Sequence, residues 1–101
     1  MAINLKAVTV CMGYQQITSL SSASKLTVPQ LTKFGNKLMP TFALIVCEGQ
    51  AVRWRDDGTA PTSSVGMPLA VGVPLQYDGD LNNIQFIEQT GGAKLNISYY
   101  A

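Results

Sequence analysis

Turn-forming residues interrupt this sequence at intervals of about 8–12 residues, and that spacing limits the length of any regular element. The segments between the turns are short and rich in β-branched residues, and residues 93–100 alternate cleanly between apolar and polar side chains. Counting such segments predicts about seven or eight short strands and no long helix. The sequence therefore predicts an all-β fold, a small antiparallel β-sandwich or barrel (jelly-roll-like), with residues 1–101 as a single domain.

Two stretches carry strong local predictions. Residues 41–47 are apolar on both faces of a strand, which predicts a central strand covered on each side. The alternative places one face of this strand in the core and the other in a subunit interface. Residues 48–49 predict a turn into a hairpin with residues 50–55, and residues 90–92 predict a second hairpin turn before residues 93–100.

The remaining segments are less regular. Residues 5–10 alternate and predict a strand that Gly13 and Tyr14 interrupt. Residues 25–28 predict another short strand. Residues 30–39 fit one short helical turn, although Gly35 and Asn36 favour a loop or turn, and Pro68 and Pro74 restrict any strands within residues 67–75 to edges or bulges.

Charged residues make up 13% of the chain, against about 25% in a typical soluble domain. A surface with so few charges favours association, which indicates a homo-oligomer or a protein inside a larger assembly, with a neutral monomer as the alternative. The net charge of +1 comes without a basic run, so we expect no nucleic-acid partner. No apolar run is long enough to span a membrane and no secretory signal is evident, so we expect a soluble protein made in the cytoplasm.

The chain contains no histidine, which excludes Ser-His-Asp and Cys-His catalysis and histidine-based metal sites within one chain. Cys11 and Cys47 lie in apolar runs and are expected to be buried free thiols, with one disulfide between them as the alternative. Residues 78–82 resemble the start of a calcium loop, but Asn83 and Gln89 stand where that loop needs Gly and Glu. We therefore expect no metal, no cofactor and no enzymatic activity.

Residues 51–62 predict a strand that runs directly into a turn. Alternation places Trp54 on the core side, with Arg53 and Arg55 together on the opposite face. Two arginines spaced in this way can clamp a carboxylate from this chain or from another subunit, and an anionic ligand is the sharper alternative.

Asp56 and Asp57 are adjacent carboxylates, which raises the question of acid–base catalysis. Neighbouring residues on a strand point to opposite faces, so the two carboxylates are not expected to act on one bond. The structural alternative is that one of them pairs with Arg53 or Arg55, while the other caps the turn through backbone N–H groups.

Five aromatic residues are candidates for a sugar-stacking platform: Trp54, Tyr14, Tyr77, Tyr99 and Tyr100. Packing in the core is the alternative role, and Trp54 fits it best because it alternates with the arginines. Consecutive strand residues face opposite ways, so Tyr99 or Tyr100 is expected to be exposed or buried in an interface.

Four segments together resemble a group of short virion structural proteins of tailed bacteriophages. These proteins carry an Arg-x-Arg-x-Asp-Gly-x-x-Pro-Thr turn, then Gly-x-x-Leu, and a closing Ala-Lys-Leu-Asn-type strand. The matching segments are 53–62 (Arg-Trp-Arg-Asp-Asp-Gly-Thr-Ala-Pro-Thr), 66–69 (Gly-Met-Pro-Leu), 86–87 (Phe-Ile) and 93–100 (Ala-Lys-Leu-Asn-Ile-Ser-Tyr-Tyr). The resemblance covers residues 41–101. Before it, residues 26–29 (Leu-Thr-Val-Pro) match a Leu-x-Val-Pro motif of the group, and residues 30–39 stand as an insertion between that motif and the following strand.

The resemblance implies a small β-sandwich protein of the virion, without catalysis. Such a protein decorates or cements the capsid through contacts with the major capsid protein or other virion proteins, as a homotrimer or homodimer assembled in the host cytoplasm. The alternative is a neck, tail or fibre component that binds host glycans. Arg53, Arg55 and Asp57 would hold the turn, and residues 57–66 would form a contact surface. The expected turn and interface residues are Arg53, Trp54, Arg55, Asp57, Gly58, Pro61, Thr62, Gly66, Tyr99 and Tyr100.

Overall fold

The computed structural model describes residues 10–33 and 35–101, and these residues form ten strands and no helix. The prediction of an all-β fold is confirmed, with more strands than the expected seven or eight. The strands are β1 (Cys11–Ile17), β2 (Ser24–Lys25), β3 (Leu31–Lys33), β4 (Asn36–Leu38), β5 (Phe42–Glu48), β6 (Val52–Arg55), β7 (Met67–Leu69), β8 (Leu75–Tyr77), β9 (Gln85–Glu88) and β10 (Lys94–Tyr100).

Eight of these strands form two four-stranded antiparallel sheets. The first sheet has the order β1-β10-β5-β8 and the second sheet has the order β2-β9-β6-β7. The two remaining strands, β3 and β4, pair only with each other. Inner side chains of both sheets belong to one hydrophobic cluster, so the fold is a β-sandwich rather than a closed barrel.

The core consists of alternate residues of the long strands. On β10, Leu95 and Ile97 are fully buried and Tyr99 is 1% exposed, whereas the residues between them are partly or fully exposed. The facing strand β9 contributes Phe86, which is also fully buried. This period of two is the pattern that the sequence shows in residues 93–100. In the order of the first sheet, β10 lies between β1 and β5.

The strand β5 is central but buried on one face only. Its inner residues Ala43, Ile45 and Cys47 are fully buried, whereas Phe42, Leu44 and Val46 on the outer face remain partly exposed. The expectation that both faces are covered is therefore wrong within the described chain. A sandwich of two sheets has only one interior layer, so a sheet cannot be covered twice without a further element or a partner.

The glycine turns at residues 49 and 91–92 connect the two sheets. β5 and β6 lie in different sheets, as do β9 and β10, so both hairpin predictions are wrong. A glycine turn reverses the chain within a sheet or between sheets, and burial of the inner faces decides between them. The two turns also touch: Gly49 has φ of +82°, and a Cβ there would lie 2.5 Å from the carbonyl oxygen of Gly92.

The N-terminal strands differ from their predicted limits. β1 runs through Gly13 and Tyr14, which were predicted to interrupt the strand of residues 5–10, because a β-bulge between Cys11 and Gly13 absorbs the irregularity. The strand predicted over residues 5–10 lies outside the described residues except for Val10. The predicted strand at 25–28 is reduced to β2, which pairs with β9 over two residues only.

Residues 30–33 and 35–39 form two short strands with a turn at Gly35, so the predicted turn at that glycine is confirmed and the helical alternative is wrong. β3 and β4 make an antiparallel hairpin in which Thr32 pairs with Lys37. The apolar spacing that suggests a helical turn in the sequence is equally compatible with two short strands around a turn.

The strands at Pro68 and next to Pro74 lie at sheet edges, as predicted. β7 includes Pro68 at the edge of the second sheet, and β8 follows Pro74 at the edge of the first sheet. An edge position suits proline because it cannot donate a backbone hydrogen bond to a neighbouring strand. The described residues include no helix that is long and apolar enough to cross a membrane.

Candidate functional site

Arg53 ties strand β6 to the loop that follows it, residues 56–66, which we call the arginine loop. Its guanidinium donates from Nε to the carbonyl oxygen of Ser63 (3.2 Å) and from Nη1 to that of Gly66 (2.9 Å). Charge-assisted bonds of this kind are stronger than those between neutral groups. Arg53 therefore holds the far end of the loop against its own strand and does not present a free cation.

Arg55 holds the near end of the arginine loop through Asp57. Its Nε donates to Oδ1 of Asp57 (3.0 Å) and its Nη2 donates to Oδ2, while the N–H of Thr59 donates to Oδ1 (3.3 Å). The hydrogen bonds from Arg55 lower the pKa of the Asp57 carboxyl, and the same pairing raises the pKa of Arg55. Gly58 lies within this turn with φ of +88°. The side chains of the pair are 28% and 54% exposed, so the pair orders the loop more than it stabilises the fold.

Asp56 has a different partner, on the first sheet. The hydroxyl of Tyr77 donates to its Oδ2 (2.6 Å), and Nδ2 of Asn83 donates to its backbone oxygen (2.7 Å). Burial, and then the bond to Asp56, raise the pKa of Tyr77. The tyrosine ring lies edge-on to the partly buried Trp54, with centroids 5.9 Å apart. The predicted division of roles between the aspartates is wrong, because Asp57 alone makes both the ion pair and the turn cap.

The second half of the arginine loop is a compact turn. Oγ1 of Thr62 accepts hydrogen bonds from the N–H of Ser64 (3.4 Å) and of Val65 (3.0 Å). Pro61 is buried beneath the turn. Gly66 has φ of +142°, and a Cβ there would lie 3.2 Å from Pro61, so glycine is the residue that fits. The loop thus has a defined shape set by its own bonds.

A run of exposed aliphatic side chains continues from the arginine loop along one side of the sandwich. Val65, Met67, Val71 and Val73 are each between 50% and 56% exposed. They lie on or beside β7 and on the turn that leads to β8, which are edge strands of the two sheets. We call these four residues the apolar edge.

Tyr99 and Tyr100 point to opposite faces of the first sheet. Tyr99 is 1% exposed and its hydroxyl donates to Oε1 of Gln15 (2.7 Å). Burial raises the pKa of Tyr99 to about 12. Tyr100 is partly exposed on the outer face and stacks on Phe42, with ring centroids 5.0 Å apart.

A polar row crosses the outer face of the first sheet. Tyr14 is 65% exposed, and its hydroxyl donates to Oδ1 of Asn96. Nε2 of Gln16 donates to the same oxygen (2.9 Å), and Nδ2 of Asn96 donates to Oε1 of Glu48 (2.9 Å). Of the five aromatic candidates, only Tyr14 and Tyr100 face outward here, so the five do not form one platform.

The cysteines are far apart and unlike in exposure. Cys11 is exposed and Cys47 is buried, and both are free thiols. They lie on β1 and β5, which β10 separates. Cys11 is level with Tyr100 and Phe42 in the register, so Cys47 lies about five residues, or about 17 Å, further along β5. This distance is incompatible with a disulfide, and the expectation that Cys11 is buried is wrong.

Depressions in the described surface are open and shallow. One of about 550 Å³ lies between Phe42 and Asp78, and another borders Arg55 and Met67. The described residues include no group of three or more metal-ligating side chains, and Oδ1 of Asp80 accepts the N–H of Asn82 as in an ordinary turn.

The apolar edge and the polar row on the first sheet have no counterpart among the predictions from the sequence. The edge residues stand in a segment rich in glycine, proline and serine, where apolar residues without alternation are a usable signal for exposure. The polar row depends on register between strands that are distant in sequence, so no local pattern reveals it. Comparison with protein-family models, curated proteins and solved structures finds no match to this chain.

Proposed function

We propose that this protein is a structural component of a bacteriophage virion, a capsid decoration or cement protein that acts by protein–protein contacts and not by catalysis. It would work as a homo-oligomer in the virion and bind the major capsid protein. The observation that carries this proposal is the apolar edge, four aliphatic side chains that are about half exposed along one side of the sandwich.

Four half-exposed aliphatic residues fall within residues 65–73, on and between the edge strands β7 and β8. Single exposed apolar residues are normal, whereas a patch of a few hundred Å² indicates an interaction surface. In addition, only 13% of the residues in the chain are charged, so few charged groups would have to lose their hydration when the surface binds a partner. Both properties suit a surface that is covered in an assembly.

The arginine loop would contribute shape to the same contact. Arg53 and Arg55 use their donors on groups of the loop itself, so the loop is already ordered before a partner arrives. A pre-ordered loop loses little conformational entropy on binding. We therefore propose that the loop and the apolar edge dock together on the shell.

Quantitative mass spectrometry of purified particles tests the proposal directly. A copy number per particle close to that of the major capsid protein supports a shell role. A few copies per particle would indicate the neck or tail, and complete absence would overturn the virion assignment.

A binding assay with shells that lack the protein locates the contact. Met67→Glu should weaken shell binding at least about tenfold by placing a charge in the contact, whereas Thr90→Glu, at an exposed turn, should leave binding unchanged.

The alternative is a neck, tail or fibre component that binds host glycans. One observation favours it: Tyr14 exposes 65% of its surface beside the amide groups of Gln16 and Asn96, and an aromatic ring next to amides suits a sugar. A glycan array probed with the wild-type protein and with Tyr14→Ala tests this alternative. Binding that Tyr14→Ala abolishes would favour it, and no signal from any glycan would eliminate it.

A further inference from the structure

The outer face of the first sheet carries an apolar row that the described chain leaves uncovered. On the central strand β5, Phe42, Leu44 and Val46 all point away from the core and remain partly exposed. The outer face of an antiparallel sheet in a sandwich usually carries polar residues. Tyr100, stacked on Phe42, extends the row onto β10.

We infer that this outer face binds the same face of a second copy. The two-fold axis lies between the two copies, in front of the gap between β10 and β5, and runs parallel to these strands. The inference rests on the proposed function as a homo-oligomeric shell protein and names the surface that the oligomer uses. A two-fold contact requires a patch that complements itself, and the register of the two central strands provides one.

The register pairs unlike residues across the axis. Along β10 and β5, the outer-face pairs are Lys94 with Glu48, Asn96 with Val46, Ser98 with Leu44, and Tyr100 with Phe42. A two-fold rotation about this axis places β10 of one copy over β5 of the other copy, with each residue at the same position along the strand direction. Every pair that is side by side in one chain thus becomes a pair of facing residues between chains.

Charge is complementary in this arrangement. Lys94 of each copy lies over Glu48 of the other, which makes two ion pairs at one end, while the Tyr100 and Phe42 rings meet at the opposite end. Both charged residues are exposed. Among the described residues the ion pair is that of Arg55 and Asp57, so Lys94 and Glu48 form no ion pair with each other, and Glu48 accepts a hydrogen bond from Asn96 through Oε1. Aligned sheets cross at about 30°, and these long side chains can span the resulting offset.

The size of the face suits a dimer of moderate affinity. Three seven-residue strands and the short β8 cover about 400 Å² of flat area in each copy, given about 4.8 Å between strands and about 3.4 Å per residue. Two copies would therefore bury about 800 Å² before the relief of the side chains is added, which is below the roughly 1,200 Å² at which stable interfaces begin and in the range of weaker, reversible contacts.

Sedimentation equilibrium between about 1 µM and about 1 mM tests the inference on the isolated protein. We expect a monomer–dimer equilibrium that reaches twice the 10.8 kDa chain mass. Leu44→Glu should raise the dimer dissociation constant at least about 30-fold, because it buries a charge at the centre of the contact. The control Val71→Glu makes the same type of change on the apolar edge and should leave the constant unchanged.

Charge reversal tests the register independently. Lys94→Glu and Glu48→Lys should each dimerise poorly alone, because each places like charges opposite each other twice. Mixed in equal amounts, the two variants should form a heterodimer in which both facing pairs are attractive. Mixing cannot change interactions within one chain, so restored association distinguishes a contact between copies from a local effect on folding. No heterodimer from the mixture would overturn the proposed axis.

The exposed Cys11 provides a reporter on the same face, since it is level with Tyr100 in the register. Its reaction rate with a thiol reagent should fall as the dimer forms. A monomer at every concentration, a trimer, or equal effects of Leu44→Glu and Val71→Glu would overturn the inference. Particle mass spectrometry remains separate: a dimer absent from particles refutes the proposed function alone, and a monomer abundant on particles refutes this inference alone.

Discussion

Replacing Gly49 by alanine tests whether the two sheet-crossing turns really touch. Gly49 has φ of +82°, and its Cβ would lie 2.5 Å from the carbonyl oxygen of Gly92. Real Cβ atoms essentially never lie within 3.0 Å of such an atom, so one of the two turns must move. The contacted atom is a backbone carbonyl oxygen, which cannot move aside by a change of side-chain rotamer. Gly58→Ala is the matched control, because Gly58 has φ of +88° with no atom within 4 Å of its Cβ position.

The two substitutions share every cost except the contact. Each places alanine at positive φ, at about 1–2 kcal/mol, and each recovers about 0.4–1 kcal/mol by restricting the unfolded chain. Only Gly49→Ala adds overpacking, which costs about 1–3 kcal/mol. We expect a loss of about 1 kcal/mol in the free energy of unfolding for Gly58→Ala and about 2–4 kcal/mol for Gly49→Ala.

Urea unfolding followed by the fluorescence of Trp54, the single tryptophan, measures both losses. A difference of about 2 kcal/mol lowers the urea midpoint by about 1 M, given a slope of about 1–3 kcal/mol per molar for a small protein. Equal losses for the two variants, within about 0.5 kcal/mol, would show that the turns at residues 49 and 92 do not meet. The connection between the sheets would then need a different path.

Three further predictions concern charge and exposure. Arg55 holds the pKa of Asp57 below its usual 3.8, so the stability from this pair is present above that pH and is lost as the pH falls through the lowered pKa; acid unfolding curves of Asp57→Asn should lack this component. The pKa of Tyr99 rises from 10.0 to about 12, so the free energy of unfolding should fall as the pH rises between these values, by at most about 1.4 kcal/mol per pH unit. Over the same pH range, the urea midpoint of Tyr99→Phe should fall less than that of the wild-type protein. A thiol reagent should modify Cys11 in the native monomer and Cys47 only after unfolding, because Cys47 is buried with a raised pKa; two fast thiols would contradict the fold.

The fold class could be predicted because strand alternation is a local property. In residues 93–100 each side chain's face follows from its position in the strand, and Leu95 and Ile97 are fully buried as the pattern indicates. Strand pairing could not be predicted in the same way. The turns around Gly49 and Gly92 have the same local chemistry whether they close a hairpin or join two sheets, and only the burial of distant residues distinguishes these cases.

The candidate site was predictable to a similar extent. The bond between Arg55 and Asp57 follows from residues two apart at the end of a strand, which sequence spacing can anticipate. The bonds of Arg53 to the carbonyl oxygens of Ser63 and Gly66 depend on the path of the eleven-residue arginine loop. The link from Tyr77 to Asp56 joins the two sheets, so it required the tertiary structure.

The outer face of β5 is the place where the local pattern and the isolated chain disagree. The sequence of residues 41–47 is that of a strand covered on both sides, yet the chain covers only the face of Ala43 and Ile45. Leaving Leu44 in water forgoes about 25 cal/mol for each Å² of apolar surface that stays exposed. Natural sequences tolerate such conflicts chiefly where function requires them. The same residues that the fold leaves exposed are therefore those that a second copy would cover, which connects the sequence pattern of β5 to assembly.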